Sequence, residues 1–146
     1  MTDLLVIGYG NDLRSDDGAG RAVADAVAGR ELAGVEVRTV SQLTPELSIE
    51  IAGRSLVVFV DADVDATELN ARPVSAGTPI EGVMTHHGDP STLLSLTAAV
   101  GPVPDEAILI SIPAENLEMG FSFSPATERA VAQAVDLITN LACRET

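Results

Sequence analysis

Short apolar runs alternate with segments of helical periodicity along this chain, and this alternation limits its possible folds more than any other feature. Residues 4–7 are rich in strand formers and end in a cluster of turn residues at 8–11, which predicts a buried strand. Residues 19–27 then carry apolar side chains at helical spacing. The next clear strands are predicted at residues 35–40, 56–60 and 107–112. This order predicts a single three-layer α/β/α domain over residues 1–146 with a mostly parallel, twisted sheet.

Three further helices are predicted to begin where a proline follows a capping residue. Thr44, Asp89 and Ser124 each precede a proline, which suits the first helical position because its missing N–H would have no partner there. The first of these helices is predicted to cover residues 45–52. Residues 73–79 are predicted to form a short fifth strand at the sheet edge, antiparallel to the others.

The charge balance excludes one large class of partners. The chain has 22 acidic and 8 basic residues, all of the latter arginine, and its net charge of −14 would repel a nucleic-acid backbone. No apolar run approaches the about 20 residues that a membrane helix requires. The first residues lack the pattern of a signal peptide, so we expect a cytoplasmic protein without membrane contact. The single cysteine, Cys143, cannot form an internal disulfide, and we expect it to have no catalytic role.

Polar residues gather after the predicted strands, where open parallel sheets bind their ligands. Taken singly, each has an ordinary explanation: an aspartate can cap a helix or form a turn, and a loop histidine is usually solvated. Taken together, two carboxylates and one imidazole at the same edge form an oxygen and nitrogen ligand set that suits a divalent transition metal. The residues concerned are Asn11, Asp16, Asp17, Asp61, Asp63, Asp65, His86, His87 and Glu115.

Two familiar motifs are incomplete in this chain. The glycine loop at residues 8–10 is followed by Leu13, where a dinucleotide-binding fingerprint needs its third glycine. The acidic run at residues 61–65 has Ala66 in place of the glycine of a calcium loop, and Arg72 in place of its bidentate glutamate. The same aspartates resemble those of haloacid-dehalogenase-type phosphatases, but the chain has no lysine to stabilise a phosphoaspartate.

A different motif is more complete. Residues 7–20, with the sequence Ile-Gly-Tyr-Gly-Asn-Asp-Leu-Arg-Ser-Asp-Asp-Gly-Ala-Gly, resemble the opening signature of the nickel-iron hydrogenase maturation endopeptidases. Residues 60–62, Val-Asp-Ala, are similar to that family's strand ending in Asp-Ala, and residues 85–87, Thr-His-His, to its histidine loop. Residues 112–125 are similar to the segment before the last helix, although here Ala114 separates the proline from Glu115. The resemblance covers nearly the whole chain.

This resemblance implies an endopeptidase that removes a short C-terminal extension from the nickel-loaded precursor of a hydrogenase large subunit. Asp17, Asp61 and His86 match the metal-contacting positions of the family, with Asp17 one methylene shorter than the glutamate of some members. The nickel would arrive with the precursor, although another divalent metal could bind the isolated protein. It would polarise the scissile carbonyl or activate water, with Asp17 or Asp16 as general base.

Two alternatives remain open at this point. A non-catalytic relative of the same fold would bind the precursor as a checkpoint or chaperone without cutting it. Of the two adjacent histidines, His86 and His87, only one should face the metal, because neighbouring side chains in an extended loop point in different directions. The resemblance implies that it is His86, which follows Thr85 with the spacing that the family's histidine shows. We also expect the protein to be a monomer.

Overall fold

The computed structural model describes residues 3–77 and 89–144. The strands are β1 (Leu4–Tyr9), β2 (Val35–Val40), β3 (Leu56–Asp63), β4 (Asn70–Pro73) and β5 (Glu106–Pro113). The helices are α1 (Ala19–Gly29), α2 (Leu47–Ile51), α3 (Pro90–Val100) and α4 (Pro125–Arg144), and a 3-10 helix (Ser15–Gly18) precedes α1. No helix within the described residues is long and apolar enough to cross a membrane.

The five strands form one sheet in the order β2-β1-β3-β5-β4. The first four are parallel, and β4 pairs antiparallel with β5 at the edge. This confirms the predicted α/β architecture. The edge strand was expected at residues 73–79 but lies at Asn70–Pro73, so the sequence placed it too late. Asn70, Arg72 and Pro73 are weak strand formers, and pairing with the buried β5 decides the position of β4 instead.

Two apolar layers cover the sheet, one on each face. Leu4 and Val6 of β1 point into a cluster with α1 and α4, whereas Leu5 and Ile7 point into a second cluster with α2 and α3. The alternation follows from the strand geometry, in which successive side chains lie on opposite faces. Because both faces are buried, the strands can be continuously apolar.

The predicted helix starts are correct for α3 and α4 and wrong for α2. Asp89 caps α3, since its carboxylate accepts the backbone N–H of Thr92 at 2.8 Å. Helix α4 begins at Pro125, as predicted. Helix α2 begins only at Leu47, because a turn in which the Leu47 N–H donates to the Thr44 carbonyl at 3.1 Å precedes it. The Thr44 side chain instead hydrogen-bonds to the carboxylate of Glu46.

Close backbone packing places the start of α1 over the ends of β1 and β3. A Cβ atom at Gly8 would collide with the carbonyl oxygen of Gly20. A Cβ atom at Gly20 would collide with the carbonyl of Val60 and lie 2.7 Å from that of Tyr9. Only glycine fits at these two positions, and the residues just before α1 are therefore held against the carboxyl edge of the sheet, where the parallel strands end.

Candidate active site

The loop after β1 folds back on Asp17, in the 3-10 helix that follows the loop. The backbone N–H of Asn11 donates to Oδ2 of Asp17 at 3.0 Å, and the N–H of Leu13 donates to the side-chain oxygen of Asn11 at 2.9 Å. Asp17 belongs to the 3-10 helix and is only partly buried. Its carboxylate is therefore held in place by the loop and stays accessible at the carboxyl edge.

Asp61 lies beside this loop, near the end of β3. The strand was expected to end at residue 60, but pairing with β5 extends it to Asp63, so Asp61 is a strand residue and not part of a loop. Burial, together with the smaller effect of the negative charges of Asp17 and Asp63, raises the pKa of Asp61 to about 7. Hydrogen bonds from the Ala62 N–H and from a tyrosine hydroxyl act in the opposite direction. Asp17 and Asp61 are thus close enough to interact electrostatically.

That tyrosine is Tyr9, which the sequence analysis did not single out. Burial raises its pKa well above the usual value, and the negative charges of Asp61 and Asp89 add to the effect. Its phenol therefore stays protonated and donates to Asp61. The available signal was its position within the glycine motif, at the last residue of β1, where a large polar side chain reaches the carboxyl edge.

Asp16 has a different environment from its neighbour Asp17. Its side chain is fully buried, and it accepts hydrogen bonds of 2.8 Å from the backbone N–H groups of Glu115, Asn116 and Ser124 and from the Ser124 hydroxyl. Burial alone would raise the pKa of Asp16, but these hydrogen bonds outweigh it and lower the pKa to about 2. Asp16 thus ties the 3-10 helix to the loop between β5 and α4.

The two predicted histidines, His86 and His87, lie outside the described residues. Within residues 3–77 and 89–144, no group of three His, Cys, Asp or Glu side chains is arranged to hold a metal ion. Of the predicted set of Asp17, Asp61 and His86, the structure therefore describes only the two carboxylates, which are near enough at the carboxyl edge to interact electrostatically. Glu115 contributes its backbone N–H to Asp16, and the residue itself is exposed.

Several solved structures are similar to this chain over almost its full length. The hydrogenase maturating endopeptidase HybD from E. coli superposes with a TM-score of 0.77 at 21% identity, covering 99% of this chain and 93% of that one. The [NiFe] hydrogenase maturation protease HybD from Thermococcus kodakarensis gives a TM-score of 0.74 at 23% identity, covering 97% of this chain and 99% of that one. A hydrogenase 2 maturation peptidase from Thaumarchaeota archaeon SCGC_AB-539-E09 gives a TM-score of 0.68 at 23% identity, covering 96% of this chain and 97% of that one.

No protein-family model and no curated protein sequence matches the chain. At these identities the likeness to solved structures concerns the fold. The chain therefore has the fold of hydrogenase maturation endopeptidases, the proteins that its sequence motifs resemble.

Proposed function

We propose that this protein is an endopeptidase that removes a short C-terminal extension from the nickel-loaded precursor of a nickel-iron hydrogenase large subunit. The observation that carries this proposal is the pairing of Asp17 and Asp61 at the carboxyl edge of the sheet. The fold shared with maturation endopeptidases supports it, as does the opening motif at residues 7–20. Ordinary protease sites are built differently, and the sequence offers no Ser-His-Asp set.

The chemistry of these two carboxylates suits a cation. Burial and, to a lesser extent, the negative charge of Asp17 disfavour the ionised form of Asp61, and a divalent metal held by the two carboxylates would stabilise that form. We assign the nitrogen ligand to His86. Asp17, Asp61 and His86 would hold the nickel ion carried by the precursor, and the metal would there polarise the scissile carbonyl or activate a water molecule. Asp17, Asp61 and His86 would thereby recognise a precursor that has received its metal.

The general base is assigned by comparing the two neighbouring aspartates. The oxygens of Asp16 accept four hydrogen bonds and its pKa is about 2, so it is a poor proton acceptor near neutral pH. Asp17 accepts the Asn11 N–H at one oxygen and is partly exposed. We therefore assign proton transfer from the attacking water to Asp17, through a carboxylate lone pair that neither the metal nor the Asn11 N–H uses, and to Asp16 the positioning of the loop around it.

Mass spectrometry of the substrate tests this function directly. The purified protein is mixed with nickel-loaded hydrogenase large-subunit precursor, and the precursor mass is measured over time. We expect the loss of a short C-terminal peptide. An unchanged mass together with a stable complex would instead support the non-catalytic checkpoint or chaperone.

A further inference from the structure

Three large apolar side chains are exposed together next to the candidate active site. The loop before α4 runs beside the loop after β1, where the Gly120 N–H donates to the Leu13 carbonyl at 2.9 Å and the Ser15 N–H donates to the Gly120 carbonyl at 2.8 Å. Leu13 is 48% exposed, and Met119 and Phe121, on either side of Gly120, are 77% and 79% exposed. We call Leu13, Met119 and Phe121 the rim patch.

The segment that carries the rim patch is fixed in place by contacts on both sides of it. The Ser15 hydroxyl donates to the Glu118 carbonyl at 2.8 Å, and the Arg14 Nε donates to the Leu117 carbonyl at 3.1 Å. Phe123 packs against the apolar core, so it anchors the loop two residues beyond the exposed Phe121. A loop whose backbone is already held in one conformation loses little backbone entropy when a partner binds to it, which favours binding.

We infer that the rim patch is the docking surface for an apolar segment of the precursor polypeptide, flanked on the precursor by basic residues. This inference rests on the proposed function. Leu13 belongs to the same loop as Asn11, whose N–H holds Asp17, so a polypeptide that reaches Asp17 lies against the patch. Methionine and aromatic side chains such as Met119 and Phe121 are enriched in protein interfaces.

Charge determines which partner fits. Asp12, Glu115 and Glu118 are exposed around the rim patch, as is the basic Arg14 beside Leu13. Asp12 pairs with Arg21 at 3.7 Å, so a small excess of negative charge remains next to the patch, within a chain of net charge −14. A second copy of this protein would bring the same negative charge and be repelled, whereas a surface with lysine or arginine beside its apolar side chains would be attracted. The patch thus fits a heterologous, basic polypeptide better than a homodimer.

A pair of matched double variants tests this inference. Met119→Ser with Phe121→Ser removes most of the patch, and Ile49→Ser with Val100→Ser removes two exposed apolar side chains from α2 and α3, where exposure is 72% and 58%. We expect the patch variant to raise the KM for the nickel-loaded precursor about tenfold or more without changing kcat, since burial of each such side chain favours binding. The control variant should keep the wild-type KM, and unfolding curves should confirm that both variants fold.

The outcomes separate the docking surface from the proposed function. If the wild type cleaves and the patch variant has an unchanged KM, the docking inference is wrong and the function stands. If the wild type does not cleave, the function is wrong, and binding of fluorescently labelled precursor then decides the inference. Weaker binding of the patch variant than of the control supports the surface. Equal binding by both variants, no binding by the wild type, or a dimer in light scattering that the patch variant abolishes would overturn it.

Discussion

Two adjacent aspartates show how completely the surroundings decide the role of a residue. Asp16 is buried among hydrogen-bond donors and Asp17 lies at an accessible edge, although the sequence presents them as an equivalent pair. The donors to Asp16 come from Glu115, Asn116 and Ser124, about a hundred positions further along the chain. No local pattern predicts such contacts. The sequence could therefore nominate both aspartates for the site, but only the fold distinguishes the positioning residue from the accessible one.

The first prediction concerns the stability that Asp16 provides. Asp16→Asn replaces one acceptor oxygen with an NH₂ group that faces donors, so we expect a loss of about 2–4 kcal/mol in the free energy of unfolding. Urea unfolding near neutral pH measures this loss. Asp12→Asn serves as the control, because Asp12 is exposed and forms only a surface ion pair of 3.7 Å with Arg21. Equal stability of the two variants would contradict the structural role of Asp16.

The second prediction follows from the lowered pKa of the same group. The pKa of Asp16 falls from 3.8 in the unfolded chain to about 2 in the folded protein. The ionised carboxylate therefore contributes at most about 2 kcal/mol to the free energy of unfolding. This contribution is complete above the unfolded pKa and is lost as the pH falls through the folded pKa. The stability of the wild type should therefore fall towards that of Asp16→Asn between about pH 5 and about pH 2. Urea midpoints of both proteins across this range provide the measurement. A constant difference between them would show that the ionised form of Asp16 is not favoured by folding.

The third prediction concerns the proposed metal ligands. Asp17→Asn, Asp61→Asn and His86→Ala should each abolish precursor processing, because no other side chain can replace a missing ligand. His87→Ala should keep most of the activity and serves as the matched control. Circular dichroism should show that all four variants are folded. Loss of activity in His87→Ala rather than His86→Ala would move the ligand to His87, and full activity in all four variants would refute the metal site.

At the scale of the secondary-structure elements, local patterns predicted most of the fold. The apolar runs of β1, β2 and β5 and the capped start of α3 are specified by neighbouring residues, and the structure confirms them. Apart from the late start of α2, which a local turn decides, the errors occur where pairing between distant strands decides the structure. Strand β4 is defined by its antiparallel pairing with β5, and parallel pairing with β5 also extends β3 beyond residue 60. Tertiary contacts therefore override the strand propensity of the local sequence both at the sheet edge, in β4, and at the candidate active site, at the end of β3.

The fourth prediction tests how α1 is placed over the sheet. Gly20→Ala adds a Cβ atom that would overlap the carbonyl oxygen of Val60, so we expect a loss of about 1–3 kcal/mol in unfolding free energy and lower processing activity. Gly29→Ala is the control at the other end of the same helix, where a Cβ atom would have no neighbour within 4 Å. It should leave activity unchanged and increase stability by up to about 1 kcal/mol. Urea unfolding and precursor cleavage of both variants measure the difference, and similar results for the two would contradict the close packing at Gly20.

At the scale of the whole molecule, the proposed catalytic centre is completed only by the substrate. Under the proposed function, this chain would supply Asp17, Asp61 and His86, and the precursor would supply the nickel together with the bond to be cut. The strand ends and the opening motif nominate these three residues from the sequence alone, and this ligand set stays a prediction. The orientation of the precursor at the site depends on a second polypeptide, so no pattern within this chain specifies it.

The fifth prediction follows from this division of the site between two proteins. Precursor prepared without nickel should not be cut even by an excess of this protein, because the three ligands would have no metal to recognise and the scissile carbonyl would not be polarised. Reloading the same precursor with nickel should restore cleavage, which rules out damage to the substrate as the cause. Mass spectrometry of the precursor before and after reloading provides the measurement. Cleavage of nickel-free precursor at the full rate would show that this protein does not recognise the metal, and that its carboxylates act on the peptide bond without it.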